Sequence, residues 1–113
     1  MLEIQTKHVE PEIVVLEISG KITLGTSSKQ LEWTVESLVN EGRKKVIFDL
    51  AGVTGLDSTG IGIIVMSAGK LKKAGGELRV AGATAHVEEV LKTTNVDRIV
   101  GLHSTTVGAA SGF

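Results

Sequence analysis

The chain has 113 residues, 42% of them apolar and 22% charged, with 12 basic residues against 13 acidic ones. That length fits one domain, 1–113, able to bury a core without staples. The absence of cysteine excludes disulfides, thiolate metal sites and cysteine nucleophiles. Balanced charge leaves no broad field for nucleic acid or an anionic membrane, and 3% aromatics with no tyrosine make no base-stacking platform.

The opening MLEIQTKHVEPE carries charges every few residues, unlike the basic-then-apolar layout of a signal peptide. The longest apolar stretch, Ile61 to Met66, is far too short to span a bilayer. A soluble protein of a reducing compartment is expected.

Leu2, Ile4, Thr6 and His8 alternate with Glu3, Gln5 and Lys7, the pattern of a half-buried strand. Glu10-Pro11-Glu12 breaks it, and a second strand follows in which Val14, Leu16 and Ile18 face one way and Ile13, Val15 and Glu17 the other. Together they predict an antiparallel hairpin, ended by Ser19-Gly20. Thr26, Ser27 and Ser28 signal a helix start, and Ser27 with Gln30 fits a capping box. Leu31, Val35, Leu38 and Val39 make the helical stripe, and Gly42 is a natural residue to follow its end. Trp33 lies opposite that stripe and is assigned no role. Lys44 to Leu50 reads as a central strand.

A second helix is predicted from about Ser58 to Ala74, ended by Gly75-Gly76, and Glu77 to Ala81 as a further strand. Thr84 opens a third helix, with Glu88 and Glu89 where the dipole favours acid and Val87, Val90 and Leu91 as its stripe. Asn95-Val96-Asp97 is a break, Ile99-Val100 a short last strand, and Ser104 or Thr105 the cap of a terminal helix carrying Val107, Ala110 and Phe113. This order predicts an α/β fold: a mixed β-sheet starting with a hairpin, with about four helices packed on it.

Four of the 14 glycines, Gly52, Gly55, Gly60 and Gly62, fall in one segment between a strand and a helix, a place where parallel sheets bind ligands. Gly55 and Gly60 match half of a P-loop, but Ile61-Gly62 stands where lysine and a hydroxyl residue are needed. Gly60-x-Gly62 lacks the third glycine of a dinucleotide site, where Val65 stands. Ser58 has Gly60 two residues on, but Leu56 occupies the first glycine position of a nucleophile elbow, and His8, His86 and His103 are scattered. No catalytic set, metal site or cofactor is expected.

What remains is a serine at a helix N-terminus. Asp57 or Ser58 can simply cap the helix. The same position also accommodates a phosphate, because free N–H groups and the positive end of the dipole meet there. Gly60 and Gly62 leave the Ser58 hydroxyl approachable, and phosphorylation would add about −1.5 to −2 charge. Along the second helix, Ile61, Ile64, Val65, Ala68 and Leu71 form the stripe toward the sheet. Ile63 and Met66 point elsewhere, toward Lys70 and Lys73; they suit a docking surface for a partner, or are covered by another helix.

At this point the chain resembles a known family. Asp57-Ser58-Thr59-Gly60-Ile61-Gly62, after the strand Val46 to Leu50, is similar to the signature of STAS domains and, more narrowly, of bacterial anti-sigma factor antagonists. Gly20-Lys21-Ile22, the run Gly76 to Gly82 and Val90-Leu91 resemble further family positions. The resemblance implies a cytoplasmic, non-enzymatic partner-switching protein. Its serine, Ser58, would be phosphorylated by an anti-sigma factor serine kinase, and a serine phosphatase would reset it. Unphosphorylated, it would bind that factor and free a sigma factor. Thr23, Asp57, Thr59, Gly60, Ile63 and Met66 are the expected partner-binding residues, with neither nucleic acid nor membrane as partner. The alternative is a STAS module that signals otherwise or serves a transport system. One departure stands out: many antagonists carry Asp where this chain has Thr23. Thr23 or Thr59 is a candidate second phosphorylation site.

Overall fold

Alternation in the second strand divides the core in two, because successive side chains of a strand point to opposite faces of its sheet. In the computed structural model, which describes residues 2–9 and 12–113, Val14, Leu16 and Ile18 enter one buried cluster and Ile13 and Val15 another. The elements run β1 (Glu3–Val9), β2 (Ile13–Ile22), α1 (Thr26–Asn40), β3 (Lys45–Leu56), α2 (Ser58–Lys73), β4 (Glu77–Ala81), α3 (Ala85–Thr93), a 3-10 turn (Val96–Arg98), β5 (Gly101–His103) and α4 (Thr106–Ala110). The five strands lie in chain order, β1 antiparallel to β2 and the rest parallel. Glu10 and Pro11, which the sequence places in the hairpin turn, lie outside the described residues.

The larger cluster joins Phe48 and Leu50 of β3 and Val80 of β4 to Leu31 and Val35 of α1, Ile64 and Leu71 of α2, and Val87 and Leu91 of α3. Three helices therefore cover one face. On the other, α4 buries Ala109 against Ile13, Val15, Ile47 and Ala81. Arg79 of β4 secures that cover. Its guanidinium donates to the carbonyls of Ala109 at 2.9 Å and Ser111 at 3.2 Å, and sits 4.1 Å from the ring centre of Phe113.

The helix ends follow the sequence signals. Gly42, at φ 79°, lets Arg43 N–H reach Leu38 C=O at 2.9 Å; Gly75, at φ 86°, lets Gly76 N–H reach Leu71 C=O at 2.7 Å. Both are the glycine-closed helix end in which the chain turns through the left-handed region to satisfy the last carbonyls. Thr105 caps α4, its hydroxyl accepting from Gly108 N–H at 3.0 Å.

Several boundaries differ from expectation. Helix α1 starts at Thr26 with Gly25 as N-cap. The cap thus falls two residues before the predicted box at Ser27, whose side chain lies outside the description. Gly20 does not end β2. It takes φ 98° inside the strand, where the β2–β3 register shifts, and β2 continues to Ile22. β3 likewise runs on to Leu56, so Gly52 and Gly55 are strand residues and not loop. The physical reason at Gly52 is a close crossing, since a Cβ there would stand 2.8 Å from Ser19 Cβ. The last strand is Gly101–His103, not Ile99-Val100; Ile99 is exposed.

Two substitutions test this packing. Phe48→Ala, at the centre of the larger cluster, is expected to lower unfolding free energy by about 3–5 kcal/mol, read from urea denaturation. Gly69 lies inside α2 with nothing within 4 Å of where a Cβ would stand. Gly69→Ala should therefore stabilise by about 1 kcal/mol through helix propensity alone, and an unchanged or lower melting temperature would contradict the open space assigned to it.

Candidate functional site

The C-terminal ends of β2 and β3 lead into the first turns of α1 and α2, and there the candidate residues gather. A helix start leaves N–H groups without intrahelical partners, and Asp57 answers this for α2. It has extended backbone, and its Oδ1 accepts from Gly60 N–H at 2.9 Å. Its other oxygen, Oδ2, accepts from Leu24 N–H at 2.9 Å. One carboxylate thus ties the start of α2 to the loop between β2 and α1. These two hydrogen bonds, Leu24 first and Gly60 second, hold the Asp57 carboxyl below the usual carboxylate range.

Gly60 completes the seat. A Cβ at this position would stand 2.0 Å from the Ile22 carbonyl oxygen, so only glycine lets the first turn of α2 rest on the end of β2. Asp57 N–H also points to the Ile22 carbonyl, at 3.4 Å. Ser58 is the first helical residue and is exposed, Thr59 is half-buried, and Thr23 is half-buried just past the end of β2. The fold therefore brings Thr23, Asp57, Ser58, Thr59 and Gly60 together.

Two expectations are corrected. Gly60 is buried, and its missing side chain makes room for β2 rather than for a partner. Ile63 is only 4% exposed and belongs to the larger core cluster. It lies on the side of α2 where α1 packs, as the 3.8 Å ion pair of Lys70 with Glu36 of α1 marks. Neither residue is available to a partner. Met66, by contrast, is 48% exposed, about two turns beyond Ser58.

The sequence reading missed Leu24. It is 81% exposed, on a backbone fixed by Asp57, beside the Ser58 turn. The sequence reading ends the strand at Ser19-Gly20 and gives Leu24 no role, and no local signal ties it to Asp57, 33 residues on. Among the described residues no group of three or more His, Asp or Glu could hold a metal, and no helix is long and apolar enough to cross a membrane. His8, His86 and His103 sit on β1, α3 and β5.

The family model described as the STAS domain matches residues 4–110. A candidate anti-sigma factor antagonist of Thermotoga neapolitana is 28% identical over 94 residues, 83% of each chain. The crystal structure of a candidate anti-sigma factor antagonist from Thermotoga maritima superposes with a TM-score of 0.87 at 27% identity, over 96% of this chain and 92% of that one. The phosphorylated form of the Bacillus cell fate determinant SpoIIAA shares the fold, with a TM-score of 0.76 at 16% identity over 96% and 97% of the two chains.

The Asp57 clamp has a pH signature. A carboxyl held low in the folded state adds stability above its unfolded pKa, and that stability is lost as pH falls through the folded value. Asp57→Asn should therefore be less stable than the parent at neutral pH, with the difference shrinking below about pH 4. Chemical denaturation across pH checks this; a gap independent of pH would refute the carboxylate's role. Gly60→Ala should cost about 1–3 kcal/mol from overpacking against the Ile22 carbonyl, in contrast to the gain at Gly69 in the same helix.

Proposed function

The chain belongs to the STAS domain family, and from that premise we propose that it is an anti-sigma factor antagonist switched by phosphorylation of Ser58. The observation that carries this reading is a single exposed hydroxyl at the first position of α2, on a backbone fixed by Asp57 and Gly60. The relatives described as candidate anti-sigma factor antagonists support the role. SpoIIAA, a shared fold known in unphosphorylated and phosphorylated forms, supports the modification.

In this reading the chain acts by binding, and catalysis resides in its partners. An anti-sigma factor that is itself a serine kinase docks over the start of α2. Thr23, Asp57, Thr59 and Met66 lie at or near the contact. The docked state occupies the factor and frees its sigma factor. The kinase then transfers the terminal phosphoryl group of ATP to Ser58 Oγ. A new O–P bond forms as the bond to ADP breaks, and the hydroxyl proton passes to a base on the kinase. A serine phosphatase hydrolyses the ester and resets the switch.

The local electrostatics give the switch its sign. The new group brings about −1.5 to −2 charge next to Asp57, which is already held as a carboxylate. The N–H groups that would best welcome a phosphate are partly committed, since Gly60 N–H is donated to Asp57. The added charge therefore faces outward, toward the docking partner, where like charge and lost shape complementarity penalise binding. The seat of α2 is built from backbone contacts and stays in place, so the surface changes while the fold does not. Thr59 and Thr23, both half-buried, are less open to a kinase than Ser58. The chain is expected to work in the cytoplasm, with neither nucleic acid nor membrane as partner.

Incubation with a cognate anti-sigma kinase and ATP should label the parent chain, Thr23→Ala and Thr59→Ala, but not Ser58→Ala. Undiminished label in Ser58→Ala would overturn the site. Ser58→Asp should weaken binding to the unloaded kinase by about tenfold or more, as a like-charged group at an interface centre does. Calorimetry showing equal affinity would refute charge-based switching.

A further inference from the structure

The two edges of the sheet are unequal. β5 is three residues long, whereas β1 runs the seven residues Glu3–Val9 and pairs with β2 along one side only. Among the described residues nothing pairs with its outer side, so a row of backbone N–H and C=O groups faces solvent there. Such an edge is a template for another strand. Under it lies a groove of about 590 Å³ between β1 and α1, lined by Ile4, Thr6 and His8 on the strand side and by Trp33 and Leu38 on the helix side. The groove exists because the inner face of β1 shortens after Leu2 and Ile4 to polar Thr6 and His8, which α1 does not cover. Trp33, on its rim, is 59% exposed.

We propose that a second copy of this chain pairs with β1 edge to edge, antiparallel, about a two-fold axis at Gln5. The sequence of β1 selects its own copy as the occupant. In this register Glu3 stands opposite Lys7 of the second copy, and Lys7, which also pairs with Glu17 of its own β2 at 3.1 Å, opposite the second copy's Glu3, all on the face away from α1. Gln5 meets Gln5, and on the helix face Ile4 meets Thr6. Centring the axis one residue later, on Thr6, would set Glu3 against Val9 and lose both charge pairs. Cross-strand pairs of opposite charge stabilise antiparallel strands, and like charges directly opposite destabilise them. The contact is isologous and closes at two copies. It joins two five-stranded sheets into one and brings the two β1–α1 grooves together, covering Trp33. It lies on β1 and α1, uses none of the residues around Ser58, and is independent of the proposed switch.

Sedimentation velocity of the full chain over a range of concentrations tests this. The mass should rise from 11.8 kDa toward twice that value, and the emission of Trp33, the single tryptophan, should shift to the blue over the same range. Because the chain has no cysteine, single thiols report the register. Gln5→Cys sets two thiols directly opposite and should oxidise to a linked dimer. Glu3→Cys leaves them four residues apart along the strand, about 13 Å, and should not. Glu3→Lys, which turns both charge pairs into repulsions, should raise the dissociation constant about tenfold with an unchanged far-UV spectrum. A monomer at every concentration would overturn the proposal. So would a dimer that Gln5→Cys does not link, that Glu3→Cys links equally well, or that Glu3→Lys leaves unaltered.

Discussion

The first turn of α2 rests on the carbonyl of Ile22, and the local architecture depends on that contact. It requires glycine at position 60, because any Cβ would meet the oxygen at 2.0 Å. It brings Asp57 within reach of both Gly60 and Leu24, so a helix cap becomes a tie between two connections that are far apart in sequence. It also fixes where Ser58 stands, since the residue after a seated cap has its direction set by the helix. A loop held only by its own turns would present the same hydroxyl in many orientations and lose binding energy in ordering it.

A second constraint is the strand alternation that separates the two core clusters. β2 and β3 are buried on both faces in their central stretches, and their side chains divide between the three-helix layer and the α4 side. Neighbouring parallel strands joined through helices give the connections that right-handed crossovers favour. The chain order of the strands across the sheet follows from this, with the hairpin at one end supplying the only antiparallel pair among the described residues.

Much of this was legible in the sequence because it is local or periodic. The split of Val14, Leu16 and Ile18 from Ile13 and Val15 is a period of two. The stripes of α1 and α2 are a period near 3.6, and Gly42 and Gly75 mark helix ends by chemistry that acts within one turn. Asp57 as a cap was legible for the same reason. What was not legible depends on neighbours remote in the chain. The extension of β3 to Leu56 comes from its pairing with β2 beyond the bulge at Gly20, and no residue of 51–56 announces it. Ile63 stayed open between a docking surface and cover by another helix because periodicity shows one stripe per helix, while α2 packs against both the sheet and α1. Gly60 was read as clearance for a visitor when the close neighbour is the protein's own backbone. Leu24 was given no role, because its tie to Asp57 is 33 residues away in the chain.

Arg79 gives the opposite side of the molecule a different character. Its guanidinium holds the carbonyls of Ala109 and Ser111 and stacks near Phe113, so the last turn of the chain is fastened to an interior strand, across the sheet from α1, α2 and α3. For anyone attaching this protein to a sensor chip or a bead, that arrangement fixes the geometry of the attachment. A tether joined near Gly112 would begin from an anchored point on the α4 face, across the sheet from α1, α2 and α3. One arginine thereby gives that point a fixed place on the α4 face.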